Sequence, residues 1–253
     1  MLRLLINGVG GRLGHTLVQV AQEYEDIEIV AGIDISAKCS VFTFPVYEDV
    51  TLVKEDADVL IDFSRPEATE KILNYCVQKS IGAVICTTGL TDREKGFISE
   101  ASKSTPVFFS ANMSLGVNLI MSLAKKAAAV LDENFDIEIV EKHHNLKVDS
   151  PSGTALVLAD AINESLSQKH EYVFGRHDKN NRRTKNEIGI HAVRGGTVVG
   201  EHDIMFFGND EVITITHAAH SKNVFAVGAL RAAQFIGDKQ PGLYNMDDIF
   251  DVK

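Results

Sequence analysis

Leu2-Arg3-Leu4-Leu5-Ile6-Asn7-Gly8-Val9-Gly10-Gly11-Arg12-Leu13-Gly14 opens the chain, and its reading decides the fold. Leu2 to Ile6 is the short apolar run of a buried parallel strand. The glycines after it permit a tight turn and let the backbone approach a pyrophosphate at the start of the next helix, read through Thr16 to Ala21. The strict G-x-G-x-x-G pattern is not met, because its third glycine would fall on Leu13; G-x-x-G-x-x-G on Gly8, Gly11 and Gly14 stands in its place. The next strand, Ile27 to Ile33, ends at Asp34, 20 residues after Gly14, where a carboxylate accepts the ribose hydroxyls of NAD. That carboxylate repels a 2′-phosphate, and Ile35-Ser36-Ala37 offers no arginine to hold one, although Lys38 and Arg12 are near. The balance favours NADH, with NADPH also usable.

Outward from this start, strand and helix alternate. Asp58 to Phe63, Ala83 to Cys86 and Pro106 to Phe109 read as strands; Pro66 to Lys79 and Thr91 to Ser102 read as helices. This order implies a Rossmann-type doubly wound parallel sheet, with ligands at the carboxyl ends of its strands. Those ends are Asp62-Phe63-Ser64-Arg65, Cys86-Thr87-Thr88-Gly89 and Ser110-Ala111-Asn112-Met113. Cys86 has no activating neighbour in sequence and reads as a small packing residue rather than a nucleophile.

A long helix from Ser114 through Leu119, Leu123, Ala127 and Val130 leads into a second region. Phe135 to Glu141 alternates like a half-buried strand. His143, His144 and Lys147 are read in the loop after it: imidazoles able to move a proton and an ammonium able to neutralise an anion. Ser150 is read as an N-cap and Pro151 as the first helical residue, which puts Ser152, Gly153 and Thr154 in the first turn, an anion site. Apolar Leu158, Ala159, Ile162 and Leu166 give that helix its buried stripe.

Beyond it, Arg176 to Lys185 holds five Lys or Arg in ten residues and reads as a solvated or substrate-facing loop. Glu187 to Val193, Thr197 to Phe207 and Glu211 to His217 read as strands of a mixed, mostly antiparallel sheet. One face of that sheet is covered by the helix at 152–167 and the other, on this reading, by a further subunit. Ser221 is read as capping a helix through Phe225 and Ile236, and the tail at Pro241 to Tyr244 as packing back on the first domain. The division expected is residues 1–113 with 222–253 as the dinucleotide-binding domain and 114–221 as an α+β domain for substrate and oligomerisation.

A net charge of −10 and pI near 5.4 argue against a nucleic-acid or anionic-membrane binder. Cys39, Cys76 and Cys86 form no CxxC pair, no apolar run reaches membrane-spanning length, and no signal peptide precedes Gly8, so the expectation is a cytoplasmic protein. His143, His144, His202, His217 and His220 have no ligand spacing, so no metal is expected.

Gly8 to Gly14, Cys86 to Gly89, Ser110 to Asn118, Glu141 to Ala155, and Asn186 to Gly196 with Gly200-Glu201-His202 together resemble the 4-hydroxy-tetrahydrodipicolinate reductase family, long called dihydrodipicolinate reductase. The resemblance runs nearly the whole chain and is most specific in the central stretch. It implies NADH- or NADPH-dependent reduction of a small cyclic dicarboxylate, with loss of water, in lysine biosynthesis through diaminopimelate. His143 is then the proton donor or acceptor, Lys147 a second donor, and His144 a substrate ligand. Gly153 and Thr154, beside Ser152, take a substrate carboxylate. The cofactor falls to Gly8, Val9, Gly10, Gly11, Arg12, Leu13, Asp34, Cys86, Thr87, Thr88, Ser110, Ala111, Asn112 and Met113. Cys86 stands where the family usually has glycine, and Met113 where phenylalanine is common. A homotetramer joined through the second domain's sheet is also implied. Another nucleotide-domain dehydrogenase or a redox sensor would share the first half without needing His143, His144, Lys147 and the Ser152-Gly153-Thr154 turn.

Overall fold

The computed structural model describes residues 1–36, 42–177 and 179–250; Lys38 and Cys39 lie outside them. In chain order the elements are β1 (Leu2–Asn7), α1 (Arg12–Ala21), β2 (Ile27–Ile33), β3 (Val46–Tyr47), β4 (Val59–Asp62), α2 (Thr69–Lys79), β5 (Gly82–Ile85), α3 (Asp92–Ala101), β6 (Pro106–Phe109) and α4 (Leu115–Leu131). Then come β7 (Asp136–His143), α5 (Gly153–Glu164), β8 (Glu171–Phe174), β9 (Glu187–Arg194), β10 (Gly200–Phe207), β11 (Val212–Ala219), α6 (Asn223–Ile236), β12 (Gly242–Tyr244) and α7 (Met246–Phe250). Contacts divide the chain into two compact units, Met1–Leu115 with Lys222–Lys253, and Gly116–Ser221.

The first unit is built on a seven-stranded sheet in the order β12-β6-β5-β4-β1-β2-β3, every pairing parallel. The strand order reverses beside β1, the switch point at which doubly wound sheets bind ligands. Both faces of β1 are covered, which is why its sequence is an unbroken apolar run. Leu4 and Ile6 pack with Ala226, Ala229 and Leu230 of α6, while Leu5 packs with Ile72, Leu73 and Ile98 on the other side. Leu4, Leu5 and Ile6 have no exposed surface. Each contributes about 1.5–3 kcal/mol by burial, more than a helix cap does, so the core and not the caps sets this architecture. The helix expected from Pro66 starts as a 3₁₀ turn over Pro66–Ala68 and becomes α-helical at Thr69. The tail adds β12 to the edge of the sheet beside β6.

The second unit has a five-stranded sheet in the order β11-β10-β7-β9-β8. It is mixed, but its pairings divide evenly: β7 with β10 and β10 with β11 are antiparallel, β7 with β9 and β9 with β8 parallel. β9 and β10 follow closely in sequence without forming a hairpin, because β7 lies between them. Ile137, Ile139, Ile188, Ile190, Ile204 and Phe206 face a core closed by α4 and α5. In α4 the stripe expected from Leu119, Leu123 and Val130 is the exposed side; Ile120, Ala124 and Ala128 are buried instead, where small side chains let the helix approach the sheet. The basic stretch is largely exposed, as expected of a solvated loop, but two of its arginines are tied down: Arg176 pairs with Glu138 and Glu187, and Arg183 with Asp136 and Glu138. At the start of α6 the cap position is Lys222, not Ser221.

At Gly228 in α6 a Cβ would stand 1.6 Å from the Met113 carbonyl oxygen, whereas at Gly96 in α3 it would meet nothing. Gly228→Ala is therefore expected to cost about 1–3 kcal/mol or more in urea unfolding. Gly96→Ala should instead stabilise by up to about 1 kcal/mol.

Candidate active site

β1 ends at Asn7 and the chain turns at Gly8, φ +78°, where a Cβ would lie 2.8 Å from the Phe63 carbonyl oxygen. A Cβ on Gly14 would stand 2.3 Å from the Gly8 carbonyl oxygen, so the helix can lie this close to the turn only with glycine there. The turn is pinned by the Gly8 and Val9 N–H groups donating to the Ile33 carbonyl at 2.8 and 3.2 Å. No side chain caps α1, whose N-cap is Gly11. The first-turn N–H groups and the positive end of the helix dipole are thus suited to an anion.

Asp34 accepts hydrogen bonds from the Gly10 N–H at 2.9 Å, the Ser36 N–H at 2.9 Å and the Ser36 hydroxyl at 2.7 Å. Partial burial alone would raise its carboxyl, but these donors outweigh it and hold the group below the ordinary carboxylate range. Gly10 makes this possible, since a Cβ there would meet Asp34 Oδ2 at 2.8 Å. A cavity of about 670 Å³ opens here, lined by Asn7, Gly8, Gly10, Asp34, Ser64 and Arg65 among others. The glycine cradle, uncapped helix start and ionised acid fit a dinucleotide.

The neighbouring strand ends are joined by Asp62, which has no exposed surface. It accepts from Asn7 Nδ2 at 2.7 Å, Thr87 Oγ1 at 2.8 Å, and Ser64 Oγ and N–H at 2.6 and 3.1 Å. Thr87 is thereby buried and committed to Asp62, while Thr88 is exposed. Burial, and secondarily the Asp62 charge, push the Cys86 thiol well up, so it stays protonated and serves packing. Val9 and Met113 give their side chains to the core. Ser110 Oγ donates to the Asn112 carbonyl at 2.8 Å, shaping the turn that also holds Ala111.

In the second unit the alternation of β7 brings Glu141 and His143 to its covered face. His143 is the last strand residue rather than part of the loop: it pairs in register with Arg194, and its carbonyl accepts the Gly195 N–H at 3.0 Å. The loop begins at His144, whose carbonyl accepts the Lys147 N–H at 3.1 Å; Lys147 Nζ donates to Asp149 Oδ1 at 2.8 Å. Helix α5 starts later than expected. Ser152, not Ser150, is the N-cap, because its hydroxyl accepts the Ala155 N–H at 3.1 Å while its own N–H donates to Glu141 Oε1 at 3.0 Å. Ser152 is therefore buried and internally bonded. Gly153 and Thr154 form the first helical residues, and the space a Cβ on Gly153 would enter is open.

His202 packs edge-on to His143, ring centroids 5.3 Å apart, and its Nε2 lies 3.1 Å from Ser152 Oγ. Burial first, then the proximity of His143, push His202 down to about 4, so it is neutral near pH 7. His144 Nδ1, Arg194 Nε, His202 Nδ1 and His217 Nδ1 are buried without hydrogen-bond partners. Among the described residues no three His, Cys, Asp or Glu groups converge as metal ligands. The pairing of Glu141 with Arg194, and of Ser152 with His202, was not read from sequence. One signal was present: on β7 an acid continues the buried stripe of Ile137 and Ile139.

The unfolded chain protonates His202 near pH 6.5, the folded protein only near 4. Stability is thus unaffected above that window and falls as pH drops through it, by at most ~3 kcal/mol from this group. Urea unfolding between pH 7.5 and 4 should show a shallower decline in His202→Asn than in the parent protein.

Comparison with known proteins gives a consistent picture. The family model "Dihydrodipicolinate reductase, N-terminus" matches residues 2–113, and "Dihydrodipicolinate reductase, C-terminus" residues 116–250. The 4-hydroxy-tetrahydrodipicolinate reductase of Caldanaerobacter subterraneus subsp. tengcongensis is 54% identical over 249 residues, 98% of each chain. That of Clostridium tetani is 49% identical over 247 residues, 98% of this chain and 96% of its own. Among solved structures, dipicolinate-bound dihydrodipicolinate reductase from Paenisporosarcina sp. TG-14 superposes with a TM-score of 0.84 at 25% identity, over 98% of this chain and 99% of that one. Matched along both halves, the chain belongs to the dihydrodipicolinate reductase family.

Proposed function

We propose that the protein reduces 4-hydroxy-tetrahydrodipicolinate to tetrahydrodipicolinate with loss of water, using NADH or NADPH, in the diaminopimelate route to lysine. The observation that carries this reading is family membership along both halves of the chain. The first unit is the dinucleotide-binding domain. Its Gly8 to Leu13 turn takes the pyrophosphate and Asp34 the ribose, with Cys86 to Thr88 and Ser110 to Met113 flanking the remainder. When bound, the nicotinamide supplies a hydride to the substrate. Asp34 disfavours a 2′-phosphate while Arg12 and Arg65 attract one, so both cofactors serve and NADH is somewhat preferred.

The second unit binds the dicarboxylate. The start of α5, at Gly153 and Thr154, holds one carboxylate, with Ser152 keeping that turn in shape. His144 is a second substrate ligand. As hydride arrives the carbon skeleton becomes electron-rich; His143 delivers the proton and Lys147 neutralises the charge. Lys147 is held by Asp149, itself largely exposed. Such a pair is worth at most about 1 kcal/mol, so a substrate anion competes for the ammonium readily.

The sheet of the second unit also serves assembly. The face opposite its core carries Val140, Val193, Met205 and Phe207, with Val193 49% and Phe207 36% exposed. A second copy covers this face in a homotetramer. The unpaired Cys76 and Cys86 fit a reducing cytoplasm.

Oxidation of NADH and NADPH should depend on a synthase that generates the substrate in situ from pyruvate and aspartate semialdehyde. No oxidation with either cofactor, despite a working synthase and demonstrated NADH binding, would overturn the reading. His143→Gln and Lys147→Ala should each lower turnover about 10²–10⁴-fold with NADH affinity retained, as followed by cofactor fluorescence. Phe207→Glu should shift the sedimentation coefficient to that of a smaller assembly.

A further inference from the structure

Glu141 and His143 are two residues apart on β7, hence on one face. The Glu141 carboxylate has no exposed surface. Arg194 grips it with two parallel hydrogen bonds, Nη1 to Oε2 and Nη2 to Oε1, each 2.7 Å. The Ser152 N–H donates to Oε1 at 3.0 Å, and His143 Nδ1 lies 2.6 Å from Oε2. An ionised carboxylate only accepts, so the hydrogen of that last contact resides on His143 Nδ1. Around the other ring nitrogen, Nε2, a Cβ on Gly200 would intrude to 2.9 Å, so glycine there keeps that nitrogen clear.

We infer that Glu141, clamped by Arg194 and the Ser152 N–H, is a positioning residue that fixes the hydrogen on His143 Nδ1 and makes Nε2 the atom that exchanges a proton with the substrate. This rests on the assignment of His143 as proton donor. In the step, the Nε2–H bond of the doubly protonated ring breaks as a C–H bond forms on the substrate carbon made electron-rich by hydride. The ring is left neutral with its hydrogen on Nδ1, and water later restores the Nε2 proton. The Glu141 carboxylate, bonded to Nδ1–H, fixes the plane of the ring throughout. The same carboxylate holds the residue that caps α5, so one group sets both the proton donor and the turn proposed for the substrate carboxylate.

The test is steady-state kinetics of Glu141→Gln in the full-length protein, with solvent and cofactor isotope effects. Glutamine keeps the shape and loses the charge. Expected are a fall of about 100-fold in kcat, with KM and NADH affinity within about twofold of the parent. The D₂O effect on kcat should rise, while the effect of deuterium on the transferred nicotinamide hydrogen falls, because proton transfer has become the slow step. An unchanged kcat, or a lower one with no rise in the D₂O effect, overturns the inference. If Glu141→Gln does not fold, Arg194→Lys, which loosens the clamp without removing Glu141, should show the same isotope pattern at smaller amplitude; its absence overturns the inference equally. Full turnover in His143→Gln would instead sink the assignment of His143, whatever Glu141 does.

Discussion

A carboxylate removed from water must be met on every side by donors, and at Glu141 this requirement organises the second unit. Leaving one buried charge unpartnered costs roughly 3–5 kcal/mol, more than any single cap or turn in the structure returns. The guanidinium of Arg194 ties Glu141 to β9, the Ser152 N–H ties it to the start of α5, and the imidazole of His143 ties it to the end of its own strand. The end of β7, the start of α5 and the far more distant end of β9 thereby meet at one side chain. The balance also sets its ionisation: burial works to raise the carboxyl, and Arg194, His143 and Ser152 together hold it below its ordinary range.

Asp62 does similar work in the first unit with neutral partners. Asn7, Ser64 and Thr87 come from the carboxyl ends of β1, β4 and β5 or just beyond them, so the rim of the sheet is fixed by one acceptor serving several donors. Without a cationic partner, burial prevails and its carboxyl is pushed up. The contrast explains a division of labour between the two acids: Asp62 shapes a surface, whereas Glu141 confronts an imidazole with full charge.

The sequence made the first unit legible because two codes agree there. An apolar run covered on both faces announces a parallel strand, and Gly8, Gly11 and Gly14 occupy positions where a Cβ would collide or crowd. The family resemblance is what singles out His143 and Lys147 for the proposed chemistry, and the residue types at Ser152, Gly153 and Thr154 are what suggest an anion-binding turn. What periodicity alone could not decide was which of two apolar stripes on α4 is buried, since Leu119 and Leu123 look more like core than Ala124 and Ala128. Nor could adjacency in sequence reveal that β7 inserts between β9 and β10. The cap of α5 moved from Ser150 to Ser152 for the same reason: the hydrogen bond that the Ser152 N–H donates to Glu141, eleven residues earlier, selects between two serines of equal local merit.

The first unit is assembled from both ends of the chain, with α6 and β12 returning to a sheet begun by β1. During synthesis the contiguous second unit emerges whole before those last elements exist, so the N-terminal sheet must wait with one face uncovered where Ala226, Ala229 and Leu230 will pack. The contacts that close it are of long sequence separation, the kind that slow folding most. The nucleotide-binding half, though it is the first to be translated, is therefore the last to be finished.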